Sequence, residues 1–266
     1  MTRASRYAAL AGLAARFPNH FEACPLAAAE HRVFSQNGED GVLAALFDRL
    51  GAGRRTFVEF GIQDGREGNA VLLADVAGWS GLFLEPDPSH FAALEAKYRL
   101  CPRVHTRSDR ITSASLDPIL REVGLFDDLD LLSIDVDGDD YWIWRGSAVR
   151  PRVLVIEYNA SLRLDPIVQP PHAEPWDGTC AVGASLETLA RLGKAKGYGL
   201  VHAELAGVNA FFVREDLLSQ AGLRACSAAE VYRPPNYGLE GRQHPEAERP
   251  DWVRVDVDGQ PVITAS

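Results

Sequence analysis

The feature that most constrains this chain is a recurring one: short apolar runs that stop on or beside an acidic residue. T-F-V-E-F-G (Thr56–Gly61), S-G-L-F-L-E (Ser80–Glu85), D-L-L-S-I-D (Asp130–Asp135) and V-L-V-I-E (Val153–Glu157) follow one another, with helical patterns between them. Strand-length runs alternating with amphipathic segments build a mostly parallel sheet with helices on both faces. Residues 42–50, 69–77, 89–99, 115–123 and 185–196 carry helical patterning, residues 104–106 a weak strand, and 141–147 a short helix. The runs 199–204 and 210–214 are close enough to form a hairpin. Pro166, Pro170, Pro171 and Pro175 make 160–183 a long loop, of the kind that often carries function. An edge strand is expected at 252–257 in the Pro-rich tail.

At 266 residues the chain suits one large α/β domain. The reading divides it into a helical lead-in (1–32), a main α/β domain (33–216) and an extension packed on the same domain (217–266). With 27 basic and 37 acidic residues, 27 − 37 = −10, neither a nucleic-acid backbone nor an anionic membrane is an expected partner. Cys24, Cys101, Cys180 and Cys226 are scattered, which suits thiols in a reducing compartment, and no 18-residue apolar run is present. The cytoplasm is therefore the expected location, and a homo-oligomer is compatible with the sequence.

In a parallel α/β sheet ligands bind beyond the carboxyl ends of the strands, so the residues standing there matter most. The first strand runs into F-G-I-Q-D-G-R-E-G-N, where Gly61 and Gly65 allow a tight turn and close approach of backbone to a ligand. Glu85, about 20 residues further on, is placed to accept hydrogen bonds from ribose hydroxyls. The turn lacks G-x-G-x-x-G, and Glu59, Asp64 and Glu67 would repel a pyrophosphate, so a cationic, amino-acid-like ligand with a ribose fits better. At the later strand ends Asp135, Asp137, Glu157 and Asn159 reach the same rim. Carboxylates converging there require a proton, a cation or a cationic ligand, and an oxygen-rich set of this kind suits Mg²⁺.

Several motifs in one order resemble the FkbM-type S-adenosylmethionine-dependent methyltransferases. They are S-Q-N-G-E-D (Ser35–Asp40), V-E-F-G-I-Q-D-G (Val58–Gly65), G-W-S-G-L-F-L-E-P (Gly78–Pro86), S-I-D-V-D-G-D-D-Y-W (Ser133–Trp142), I-E-Y-N (Ile156–Asn159), G-A-S-L (Gly183–Leu186) and G-V-N-A-F-F-V-R (Gly207–Arg214). The resemblance covers roughly 33–216. It implies a Rossmann-like methyltransferase fold, with a seven-stranded, mostly parallel sheet and an antiparallel last strand.

It further implies S-adenosylmethionine as methyl donor. Glu59, Gly61 and Asp64 would line its methionine end and Glu85 its ribose, with Asp135 also in contact, Gln36 and Asn37 closing over it and Asp109 on the adenine side. For transfer to a hydroxyl, Asp135, Asp137 and His172 are the candidate catalytic groups, and Asp135, Asp137 and Glu157 the candidate Mg²⁺ ligands. Trp142, Trp144 and Trp176 are candidates for stacking on the acceptor. The expected activity is O-methylation of a sugar or small-molecule hydroxyl. N- or C-methylation on the same fold, and a non-catalytic nucleoside-binding module, are the alternatives.

Overall fold

The computed structural model describes residues 26–172, 176–237 and 243–262. Most of the expected helical lead-in (residues 1–25) lies outside the described residues; its described end is a short 3-10 turn, Ala27–Ala29. The main strands are β1 (Thr56–Phe60), β2 (Ser80–Leu84), β3 (Val104–Arg107), β4 (Leu131–Ile134) and β5 (Val153–Glu157). A short β6 (Ile167–Val168) precedes β7 (Tyr198–Ala203) and β8 (Asn209–Arg214). Between them lie helices α1 (Glu39–Leu50), α2 (Val71–Asp75), α3 (Pro88–Tyr98), α4 (Leu116–Glu122), α5 (Asp140–Gly146) and α6 (Leu186–Ala195).

Seven strands form one sheet in the order β3-β2-β1-β4-β5-β8-β7. β1 to β5 pair in parallel, whereas β8 runs antiparallel to both β5 and β7. The order reverses direction at β1, between β2 and β4, which makes the carboxyl ends of those strands the topological switch point. This is the Rossmann-like methyltransferase fold. The 160–183 stretch is less irregular than its prolines suggest. β6 lies within it and pairs with β9 (Val253–Val255), which pairs in turn with β10 (Pro261–Val262). The expected edge strand at 252–257 therefore joins a separate three-stranded sheet, because its partner sits inside that loop.

Strand parity divides the core. Val58, Phe60, Leu82, Leu84, Leu132, Ile134, Leu154 and Ile156 face one layer, together with α4 to α6. Phe57, Phe83, Leu131, Val153, Val155 and Phe211 face the other, with α1 to α3. Helix α2 is five residues long, shorter than its pattern predicts. The chain is wound tightly there: Val76 N and Ala77 N both donate to Leu72 O at 3.1 Å before Gly78 turns into β2 (φ +72°). No helix among the described residues is long and apolar enough to cross a membrane. No disulfide joins Cys101, Cys180 or Cys226.

At the opposite end of the sheet from the site, Asp130 organises the approach to β1. Its carboxylate is buried and accepts from Gly53 N (2.6 Å) and Thr56 N (3.0 Å), with Arg152 Nε at 3.6 Å. Removing it strands two amides and a guanidinium inside the protein, and each orphaned group costs about 1–3 kcal/mol. Asp130→Ala is accordingly expected to lower the unfolding free energy by about 2–4 kcal/mol. A urea titration would show this as a lower midpoint with an unchanged slope.

Candidate functional site

Parity also assembles the site. β1 pairs Glu59 with Phe83 on one side and with Ser133 on the other, and β5 pairs Glu157 with Asn209. Continuing the alternation past each strand end puts Glu85, Glu59, Asp135 and Glu157 on one face of the sheet. That face lies towards α1 and the Ser35–Asp40 loop. At their centre Gly61 turns with φ +80°, and a Cβ there would come within 1.8 Å of Asp135 O. Glycine is therefore required, because the turn after β1 lies directly against the backbone leaving β4.

Backbone amides neutralise much of this charge. Glu59 is buried, and its two oxygens accept from Asn69 N (2.7 Å) and Ala70 N (2.8 Å), while Asn69 Nδ2 donates to Ser133 Oγ at 3.0 Å. Glu59 thus braces the turn from below and fixes the start of α2. Glu85, equally buried, accepts from Gln63 N (2.7 Å) and Asp87 N (2.8 Å). Each carboxylate oxygen accepts more than one hydrogen bond, so Glu85 retains acceptor capacity for ligand hydroxyls. Asp140 receives Val136 N and Gly138 N, both at 3.0 Å, and so ties down the loop that carries Asp137 (φ +53°).

Asp135, Asp137 and Glu157 each present an oxygen within 4.8 Å of the others; Asp135 and Glu157 are half-buried and Asp137 is exposed. Burial, reinforced by the carboxylates of Asp140, Asp137 and Glu59, holds the Asp135 carboxyl well above its ordinary value. Glu157 is raised well above its own by burial and by Asp135, Asp140 and Asp137, and its side chain hydrogen-bonds Asp135. Two carboxyls at such a distance share a proton. Burial also pushes Asp140 up to about 6 and Glu59 up to about 7.

Beside the cluster a recess of about 420 Å³ opens to solvent. Asp137, Glu157 and Asn159 line one side, and Trp176, Tyr237 and His244 another. Tyr237 and His244 lie in the C-terminal extension and carry no motif, so nothing in the sequence pattern marks them. The one available signal is that aromatic residues stand in an otherwise polar, Pro-rich segment.

The remaining predicted residues are distributed unevenly. Asn37 is buried and bonded through its backbone N (2.8 Å) and Nδ2 (3.3 Å) to Glu39, whose Oε1 also accepts from Asn209 Nδ2 at 2.8 Å. It locks the loop before α1 to the start of β8, and Gln36 beside it is half-buried. Asp64 is half-buried in the glycine turn, 3.4 Å from Arg66. Asp109 pairs with Arg107 at 2.7 Å beyond β3. His172 departs from expectation. Its side chain is 74% exposed, it sits at φ +57°, and its Nδ1 lies 3.7 Å from Asp139 rather than in the recess. Its backbone N donates to Asp139 Oδ1 at 3.2 Å, which holds it against the Asp137–Asp140 loop. Trp144 also departs: it is buried, packed against Phe212 and Tyr198. Trp142 donates its Nε1 to Gln169 O at 2.9 Å, so it anchors the loop.

No protein-family profile and no curated protein sequence matches the chain. Solved structures similar to it include the N-terminal domain of EvdMO1 with SAH bound, with 15% identity, a TM-score of 0.43, and coverage of 71% of this chain and 82% of that one. Another is Aeropyrum pernix fibrillarin in complex with natively bound S-adenosyl-L-methionine (17% identity, TM-score 0.42, 64% and 74% covered). A third is the StiE O-MT, residues 961–1257 (13% identity, TM-score 0.36, 56% and 47% covered).

The raised carboxyls make stability depend on pH. They take up protons on folding, so the stability they contribute is present below their unfolded values and is lost as pH rises through the folded ones. For Asp140 and Glu59 those lie at about 6 and about 7. Glu157→Gln removes one titrating partner without changing shape. Its melting temperature is expected to fall less steeply than the parent's as pH rises above the ordinary carboxyl range. Identical slopes in the two proteins would show that Asp135 and Glu157 do not titrate as a pair.

Proposed function

We propose that this protein is an S-adenosylmethionine-dependent methyltransferase that methylates a hydroxyl of a sugar or other small molecule. The observation that carries the reading is the junction at Gly61. A donor seated on the glycine turn ends beside Asp135, because the turn and the end of β4 are in backbone contact. The recess then offers an acceptor a place next to Asp137 and Glu157. The residues present suit such a donor. Glu85 has acceptor capacity for the ribose hydroxyls, and Asp64 stands in the turn to receive the ammonium group. Gln36 and Asn37 cover it from the loop before α1, and Asp109 lies towards the adenine.

When bound, S-adenosylmethionine supplies a methyl group on a sulfonium, whose C–S bond breaks as the C–O bond to the acceptor forms. Alignment of the acceptor oxygen supplies much of the acceleration. The acceptor hydroxyl also has to lose its proton. Asp137 is the carboxylate in the recess best placed to take it, since it is exposed and returns the proton to solvent. Asp135 and Glu157 hold one proton between them beside it. The same three carboxylates would hold Mg²⁺, for which an all-oxygen set within 4.8 Å is suitable, and the ion would supply Lewis-acid stabilisation of the acceptor oxygen.

Calorimetry with S-adenosylhomocysteine is expected to give a Kd in the micromolar range. Glu85→Ala should weaken it at least about tenfold, the loss of charge-assisted hydrogen bonds worth roughly 1.5–3 kcal/mol. A titration without heat, from a protein that NAD stabilises instead, would overturn the donor assignment.

Asp137→Asn is expected to abolish methyl transfer while leaving S-adenosylhomocysteine affinity within about twofold of the parent. A chelator followed by Mg²⁺ separates the two uses of the cluster. Activity lost and then restored assigns it to metal binding, whereas an unchanged rate assigns it to proton transfer alone. Transfer at the parent rate by Asp137→Asn, with or without chelator, refutes both.

A further inference from the structure

The recess has a wall that the transfer itself does not require. The ring centroids of Trp176 and His244 are 4.8 Å apart at 74°, and those of Tyr237 and His244 are 5.3 Å apart at 45°. The two segments that bring these rings together are fastened to each other and to the end of β5. Asn159 Nδ2 donates to Cys180 O (2.7 Å) and Val182 O (2.9 Å), and its Oδ1 accepts from Tyr237 Oη at 3.5 Å. Cys180 N donates to Pro245 O at 2.9 Å, which draws His244 towards Trp176. Trp176 Nε1 is held by Thr179 O at 2.7 Å, which fixes the ring although 38% of the residue is exposed. Rings clamped in this way while still facing open space are preorganised for contact.

Flat apolar rings beside carboxylates and an amide match the two sides of a sugar. Its C–H face lies on an aromatic surface, and its hydroxyl edge bonds to oxygen acceptors. The charge of the lining adds a second criterion. Among the described residues that form the recess there is no lysine or arginine, and three acids (Asp137, Asp140 and Glu157) outnumber its one basic side chain, His244. An acceptor bearing a carboxylate or phosphate would be repelled.

We propose that Trp176, Tyr237 and His244 form the platform on which the acceptor ring lies, and that the recess selects uncharged pyranose rings over acidic ones. The inference rests on the reading of this recess as the acceptor site. It also assigns acceptor choice to two segments outside the seven-stranded sheet.

The test is saturation-transfer NMR and titration of the full chain with methyl glucopyranoside, methyl rhamnopyranoside, methyl fucopyranoside and methyl glucuronide, with and without S-adenosylhomocysteine. At least one neutral glycoside is expected to bind in the millimolar range through its C–H face. The glucuronide is expected to bind about tenfold more weakly than the glucoside. Trp176→Ala and Tyr237→Ala should each weaken the neutral glycoside about tenfold while S-adenosylhomocysteine affinity stays at the parent value. Trp176→Tyr, which keeps a ring, should retain most of the binding, and this separates stacking from misfolding. Equal binding by the alanine variants, glucuronide binding as tight as glucoside, or no neutral glycoside bound at all would each overturn the platform. Because the titrations without S-adenosylhomocysteine stand by themselves, failure of the donor assignment alone would leave the glycoside results intact.

Discussion

Buried carboxylates accepting backbone amides hold the loops of this protein in place, and the rest of the structure depends on them. Asp40 Oδ2 alone receives Val33 N, Phe34 N and Ser35 N at 2.6–2.8 Å. Glu204 closes the turn between β7 and β8 on Ala206 N and Val208 N, and Glu30 reaches from before α1 to Leu205 N and His202. Glu59, Glu85, Asp130 and Asp140 do the same at the sheet. In a chain with a formal charge of −10, such groups would destabilise one another if left bare. Their bonded oxygens instead take amides that loops would otherwise leave unpaired, so one hydrogen bond meets two requirements.

The exception defines the site. Asp135, Asp137 and Glu157 are the carboxylates at the carboxyl ends of β4 and β5 that loop amides do not neutralise. Their charge is moderated by a shared proton and by solvent at Asp137. The rim of the sheet thus contains two kinds of acid with the same parity. Those at β1 and β2 stabilise the turn after β1, and those at β4 and β5 border the recess. The difference follows from what comes next in the chain. After β1 and β2, short turns fold their amides back onto the strand end, whereas after β4 the amides of Val136 and Gly138 go to Asp140 instead.

This division explains which parts were legible in the sequence. The apolar runs located β1, β2, β4 and β5 within about two residues, because buried parallel strands are continuous and short. Glu85, Asp135, Asp137 and Glu157 were readable as rim residues because a strand end fixes where its last side chain stands. Whether an acid there serves the ligand or the backbone was not readable, since that depends on amides brought in by the turn; Glu59 is the example. β6 was hidden because two residues bounded by prolines have no periodicity, and its partner β9 lies far along the chain. Tyr237 and His244 were hidden for the same reason: their position is set by contacts of long sequence separation. His172 and Trp144 failed in opposite directions, one exposed and the other enclosed in the core, because residue type alone does not decide burial.

The tail that supplies Tyr237 and His244 is secured by long-range contacts. Tyr141 Oη donates to Gly259 O across 118 positions, and Arg191 Nη1 donates to Val255 O across 64. Gly259 passes so close to α6 that a Cβ there would come within 2.7 Å of Leu192 Cα and N. Contacts of such separation close large loops, and that entropy is recovered only after the parallel sheet exists to receive them. As an order of assembly, the half of the rim at the Gly61 turn is complete once β1, β2 and β4 have paired, and the aromatic half is added last. The same order run backwards makes the aromatic wall of the recess the first part to open on heating, while the seven-stranded sheet is still intact.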